Sequence, residues 1–285
     1  MHIVKINGGL GNQMFQYAFA LALDARYGDA ALDLSWIRSD PAHNGYELGR
    51  LFDVRIPECD EASRAALSNV DPGIAGKVRR RLGLVPRSQV IERRNGYDER
   101  YLEISGDRYF SGYWQSYKYS RDIEGEVRSS FTFAPPLSPK SEAFLARSAD
   151  QPLIGVHVRR GDYLSYPRYA KVCGEAYYSA ALVRAATSAA DPLVVFFSDD
   201  LDWCRDRLAP SGEAAYIDWN RGPSSYEDMR LMMACDALVI ANSSFSWWGA
   251  WLGKRAGRNV IAPSRWLGGR ARDNPDIIPP EWTRI

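Results

Sequence analysis

The chain has 285 residues, with 36 lysines and arginines against 35 aspartates and glutamates, a formal charge of +1. That balance leaves no global field to draw in nucleic acid. A composition 46% hydrophobic and 25% charged is that of a soluble globular protein with core enough for about two domains of roughly 150 residues each. Cys59, Cys173, Cys204 and Cys235 lack C-x-x-C spacing, and the only histidines are His2, His43 and His157. A zinc site and a disulfide framework therefore have no support, and reduced thiols fit a cytoplasmic protein.

The opening "HIVKI" reads as a buried strand followed by the Gly-rich turn "NGGLGN", with no signal peptide ahead of it. "QMFQYAFALALDARYG" reads as a helix closed by Gly28, and "AALDLS" as a second strand, so an α/β layer begins at once. The apolar stretch in that helix is too short to span a bilayer. Residues 40–105 carry prolines and the basic segment "KVRRRLGLVPRSQVIERR" but no clear element. "YFSGYWQS" reads as a strand and "SRDIEGEVRSSF" as a helix. The three prolines of "FAPPLSPKS" mark the expected boundary, with domains at 1–135 and 136–285.

Beyond it the rhythm is regular: strands at "PLIGVHVRR", "PLVVFFSDD", "AAYID", "DALVIANS" and "NVIAPS", separated by helices. Near-continuous apolar strands alternating with helices predict a parallel sheet covered on both faces. Ligands of such sheets bind beyond the carboxyl ends of the strands, and three of these strands end in polar clusters. In "GVHVRRGDYL", His157 and Arg159 share a face by alternation. A guanidinium there suits phosphate oxygens, or pairs internally with Asp162. In "FFSDD", with Ser198, Asp199 and Asp200, a carboxylate can accept from guanine or hold a ribose hydroxyl, or Asp199 caps the helix "LDWCRDRL". In "VIANSSFSWWGAWL", Asn242 ends a strand and Ser243 or Ser244 caps a helix. The amino end at Ser243, Ser244 and Phe245 either favours an anion or is simply capped; "WWGAW" reads as helix core. The first turn, with Gly9, Gly11 and Asn12, invites a dinucleotide reading with Asp33 on the ribose. However, Met14 stands at the third glycine position, and Asn12 and Gln13 suggest hydrogen bonds to a hydroxyl-rich substrate instead.

Taken together, "GGLGNQMFQYAFALAL", "GVHVRRGDYL", "FFSDD" and "ANSSFSWWGAWL", in this order, resemble the bacterial α-1,2-fucosyltransferases of glycosyltransferase family 11. The resemblance implies a GT-B-like α/β fold of two facing Rossmann-like domains with parallel sheets, the N-terminal one on the acceptor side. The C-terminal one would bind the donor, GDP-β-L-fucose. It implies an inverting transfer of L-fucose to the 2-hydroxyl of a terminal β-galactose, on an oligosaccharide or lipid-linked glycan, with no cofactor and no metal. Arg159 would contact the phosphates, supported by Arg160 and His157, with Asp162 holding the loop. By the same resemblance, Ser198, Asp199, Asp200 and Asn242 would lie near the nucleoside, and Gly9, Gly11 and Asn12 near the fucose and the attacking hydroxyl. The general base stays open between Asp162 and other carboxylates. Residues 77–94, with Lys77, Arg79, Arg80, Arg81, Arg87, Arg93 and Arg94, read either as a solvated surface or as a peripheral contact with an anionic membrane.

Overall fold

The computed structural model describes residues 1–39, 43–68, 86–187, 189–208, 210, 212–253, 258–269 and 272–285. The chain divides into two compact units, Met1–Pro135 and Pro136–Ile285.

The first unit holds a parallel sheet of β1 (His2–Lys5), β2 (Ala30–Asp33), β3 (Gln89–Ile91) and β4 (Arg108–Ser111), in the order β2-β1-β4-β3. The helix after β1 spans Leu10–Tyr27 and ends at Gly28, whose φ of 70° lets its N–H bond back to Asp24. This helix starts earlier than its apolar periodicity suggests, so Gly11 and Asn12 lie in its first turn and Gly9 is its N-cap. The strand β3 falls inside the basic stretch where no element was expected. It has only three residues, none of them fully buried, and its hydrophobic signal is correspondingly weak. Of the basic segment 77–94, residues 77–85 lie outside the described residues.

The second unit carries β5 (Leu153–Val158), β6 (Leu193–Ser198), β7 (Ala214–Ile217), β8 (Ala237–Val239), β9 (Asn259–Ala262) and β10 (Thr283–Arg284). All pairings are parallel, in the order β10-β9-β8-β5-β6-β7. Every residue of β5 and β6 is buried, as expected of central strands covered on both faces. Val156, Val158, Tyr178, Phe196, Val239 and Ile261 share one core. Trp247, Trp248 and Trp251 are buried too, so "WWGAW" is helix core.

The order of each sheet locates its crevice. From β5 the chain builds outward through β6 and β7, then returns to the other side of β5 with β8, β9 and β10. The reversal lies between β5 and β8. In the first unit the corresponding reversal lies between β1 and β4. Ligands of open parallel sheets bind at such points, beyond the strands' carboxyl ends. Among the described residues no helix is long and apolar enough to cross a membrane.

Candidate functional site

The parallel register brings three of the predicted clusters to one edge. Val158 of β5 stands opposite Ser198 of β6, and Val156 stands opposite Val239 of β8. The residues that follow, 159–162, 199–200 and 240–245, therefore leave the sheet side by side.

Arg159 sits at the centre. Its Nη2 lies 2.7 Å from Asp162 Oδ1 and its Nη1 lies 2.9 Å from Asp199 Oδ2. A guanidinium has five N–H donors in a rigid fork, so two such contacts fix its plane and leave donors for a ligand. The side chain is 32% exposed. Asp199 also accepts the Arg160 N–H at 2.9 Å. Gly161 permits this closeness, since a Cβ there would lie 2.7 Å from Asp199 Oδ2.

Arg160 points elsewhere. Its Nε donates to Asp200 Oδ2 at 2.9 Å and its guanidinium lies 4.2 Å from the Trp203 ring. Two favourable partners make it a clasp between the end of β5 and the helix Leu201–Arg207. The cap of that helix is Asp200, which accepts the Trp203 N–H at 3.2 Å, rather than Asp199. The Arg160 bond holds the Asp200 carboxyl below the usual carboxylate range. Ser198 Oγ accepts the Asp200 N–H at 2.9 Å.

His157 is buried beside Arg159. Burial first, and that guanidinium second, push its pKa down to about 3, so it is neutral at working pH and contributes a hydrogen-bonding ring rather than a charge. Its Nδ1 has no hydrogen-bond partner among the described residues, and its ring lies 5.9 Å from that of Phe245. On the β8 side, Asn242 Nδ2 donates to Trp266 O at 3.1 Å and Asn242 O accepts from Tyr163 Oη at 3.3 Å. Ser243 is the N-cap of the helix Ser244–Trp251 but makes no side-chain cap. The amino end of that helix thus faces the same edge as Arg159, with its dipole favouring an anion.

A further carboxyl escaped sequence reasoning. Asp228 is half-buried, and desolvation pushes its pKa up to about 7, although Asn220 Nδ2 donates to it at 2.8 Å and Arg221 is nearby. Arg221 Nη1 in turn donates to Ser198 O at 3.1 Å, tying this group to the end of β6. In the sequence Asp228 reads as an ordinary first-turn acid of the helix Tyr226–Ala234; only its desolvation in the fold singles it out.

Gly9, Gly11 and Asn12 belong to the first unit and are placed there by β1. Gln13 is not a substrate ligand: it is buried, donates to Gly8 O and Gly45 O at 2.9 and 2.8 Å, and accepts the Glu47 N–H at 3.0 Å. Asp33 is likewise occupied, by Tyr109 Oη at 2.6 Å and the Ser35 N–H at 2.9 Å, which removes the ribose contact of the dinucleotide reading. Among the described residues no group of three or more His, Cys, Asp or Glu is placed to hold a metal.

Residues 95–285 match the profile of Glycosyl transferase family 11. The chain is 31% identical to an α-1,2-colitosyltransferase of Escherichia coli, over 99% of this chain and 98% of that protein. It is 29% identical to the galactoside 2-α-L-fucosyltransferase Sec1 of Mus musculus, over 88% of this chain and 64% of that longer protein. The fold is similar to a crystal structure of the α-1,6-fucosyltransferase NodZ soaked with GDP-fucose: TM-score 0.53, 16% identity, covering 88% of this chain and 91% of that one.

Proposed function

Because the chain belongs to glycosyltransferase family 11, we propose that it moves a 6-deoxy-L-sugar from its GDP-β-linked donor to the 2-hydroxyl of a terminal β-galactose, with inversion. The observation that carries this reading is the convergence of Arg159, clamped by Asp162 and Asp199, with the amino end of the helix Ser244–Trp251 at the β5–β8 reversal.

As the glycosidic bond to the diphosphate breaks, negative charge grows on the β-phosphate and the sugar takes on oxocarbenium character. Fixed donors aimed at the leaving oxygens lower that barrier without reorganising. Arg159 and the N–H groups at Ser244 and Phe245 are such donors, and neutral His157 adds a hydrogen bond. Arg160 serves by position, locking the loop through Asp200 and Trp203. The nucleoside extends toward β6, where Ser198, Asp200 and Asp228 offer acceptors. Asp162 and Asp199 hold Arg159; a dissociative transition state asks little of a general base, since the hydroxyl becomes acidic late. The first unit supplies the acceptor side.

L-Fucose is one donor sugar. Similarity over nearly the whole chain to a colitosyltransferase favours a second, colitose, which is fucose without its 3-hydroxyl. Incubation with GDP-fucose and GDP-colitose against a panel of galactose-terminated glycans, with product linkage and anomer read by NMR, tests both. A site that hydrogen-bonds the 3-hydroxyl rejects the deoxy sugar by about 10⁴-fold. Consumption of neither donor with any galactoside overturns the reading.

A lipid-linked acceptor extends the same proposal. Arg87, Arg93 and Arg94 of the basic segment are exposed and suit an anionic bilayer surface. Co-sedimentation with phosphatidylglycerol vesicles that is unchanged when these arginines are neutralised removes that extension.

A further inference from the structure

The second unit holds a cavity of about 410 Å³, within the size range of small-molecule sites. It lies past the carboxyl end of β9, where Pro263, Ser264 and Arg265 leave the sheet. The strand order puts it on the far side of β8 from the β6 end of the sheet. The helix Glu175–Ala186 lines it with Ala176, Tyr177 and Ala180. The two alanines leave space open. Tyr177 contributes ring rather than hydroxyl, since its Oη donates to Ile240 O at 2.6 Å. The segment after β9 is firmly held. Asp273 Oδ1 accepts the N–H groups of Trp266, Leu267 and Asn274 at 2.8, 2.9 and 2.9 Å, and the Gly268 N–H donates to Arg168 O at 2.8 Å.

Positive charge stands on this largely apolar lining. Lys171 makes no ion pair among the described residues. Arg265 Nε lies 3.9 Å from Asp273 Oδ2, at the limit of an ion pair, and the Arg265 side chain is 55% exposed. The acid at the start of the helix, Glu175, is placed near Arg207 instead, at 3.9 Å. Lys171, Ser264 and Arg265 thus offer an ammonium, a hydroxyl and a planar fork of N–H donors. A guanidinium alone matches a flat carboxylate, whereas a phosphate has oxygens enough for all three groups. An apolar chain covering the remaining lining adds about 25 cal/mol per Å² removed from water.

We propose that this cavity is a second ligand site, for the phosphate ester of an apolar alcohol. Lys171, Ser264 and Arg265 hold the phosphate, and the chain lies along Ala176, Tyr177 and Ala180. A bilayer phospholipid and a prenyl phosphate share that chemistry. The site stands on its own residues and goes beyond the transfer reading.

Isothermal titration of the full chain with geranyl phosphate, in the absence of any GDP-sugar, reads the site directly. Geranyl phosphate is expected to bind at least about tenfold more tightly than inorganic phosphate or geraniol, because each control lacks one half of the contact. Lys171→Ala and Arg265→Ala each weaken it about tenfold or more, as the loss of a charged hydrogen bond does. Ala180→Trp, at an exposed position of the helix, fills the space and abolishes binding with both cations in place. Wild-type GDP affinity and Tm in these variants certify folding. Flotation with phosphatidylcholine vesicles doped with phosphatidic acid or with a long-chain prenyl phosphate separates the two sources: capture by either that Lys171→Ala weakens supports the site and identifies what fills it, and capture by neither overturns it. Geranyl phosphate binding that is no tighter than that of inorganic phosphate, that persists in Arg265→Ala and Ala180→Trp, or that GDP displaces, also overturns the proposal. No sugar transfer is read, so failure of the transfer reading leaves the result standing.

Discussion

The carboxyl edges of the two sheets have the same topology and opposite chemistry. The edge of the second unit is ionic: Arg159 between Asp162 and Asp199, Arg160 on Asp200. The edge of the first unit is neutral and aromatic: Tyr113, Gln115 and Asn12, with Glu92 turned inward onto backbone N–H groups. A parallel sheet with a reversal in strand order supplies a place; what binds there is decided by the few residues that leave the strands. Fixed charge is worth most where charge develops during reaction, and neutral amides and rings where hydroxyls must be told apart.

The comparison breaks most visibly at Arg159. Arg159→Ala is expected to lower kcat/KM by about 10²–10³-fold and to weaken GDP binding by calorimetry while leaving the acceptor KM in place. A rise in acceptor KM as large as the loss of GDP affinity would show that the two edges do not divide the work. Arg160→Ala sharpens the point, because a clasp costs less than a ligand: its rate loss should be at least tenfold smaller, with a lower Tm.

Next in size is the half-buried carboxyl at Asp228, whose pKa is pushed up to about 7 from an unfolded value near 3.9. The native state holds its proton more tightly than the unfolded chain does. Its share of stability is therefore fully present below about pH 4 and is lost as pH rises through about 7. Asp228→Asn, which keeps an acceptor for Asn220, should be neutral at pH 4 and more stable than wild type at pH 8, by up to about 4 kcal/mol, read as Tm by scanning calorimetry. An equal Tm difference at both pH values would contradict it.

The smallest effect is expected at Tyr163. Tyr163→Phe removes the hydroxyl that donates to Asn242 O and should cost about 1 kcal/mol of stability in urea unfolding, with donor KM moving less than twofold.

Much of the second unit was legible because its strands are buried on both faces. "LIGVHV" and "LVVFFS" have no polar residue until their ends, so the runs announce the strands and the polar ends announce the edge. The first unit was harder. The strand β3 is short and half-buried, and sits in a basic stretch whose charge masks it. Gln13 looked like a substrate ligand because an amide's partners cannot be seen in a string; here they are Gly45 and Glu47, more than thirty residues on. Arg159 and Arg160 are adjacent and chemically equal in sequence. Alternation along β5 sends one toward the ligand edge and the other onto Trp203.

The sequence by itself determined the α/β rhythm, the apolar strands of the second unit and the residue types at their ends, because burial on both faces and strand-to-helix transitions are local properties of the chain. The tertiary structure alone decided that Arg159 lies between two carboxylates, that Asp228 is desolvated, and that Trp114 takes a positive φ after β4. Each of these depends on which strands become neighbours and in what register, and that choice is made by packing across the whole fold rather than by any one segment.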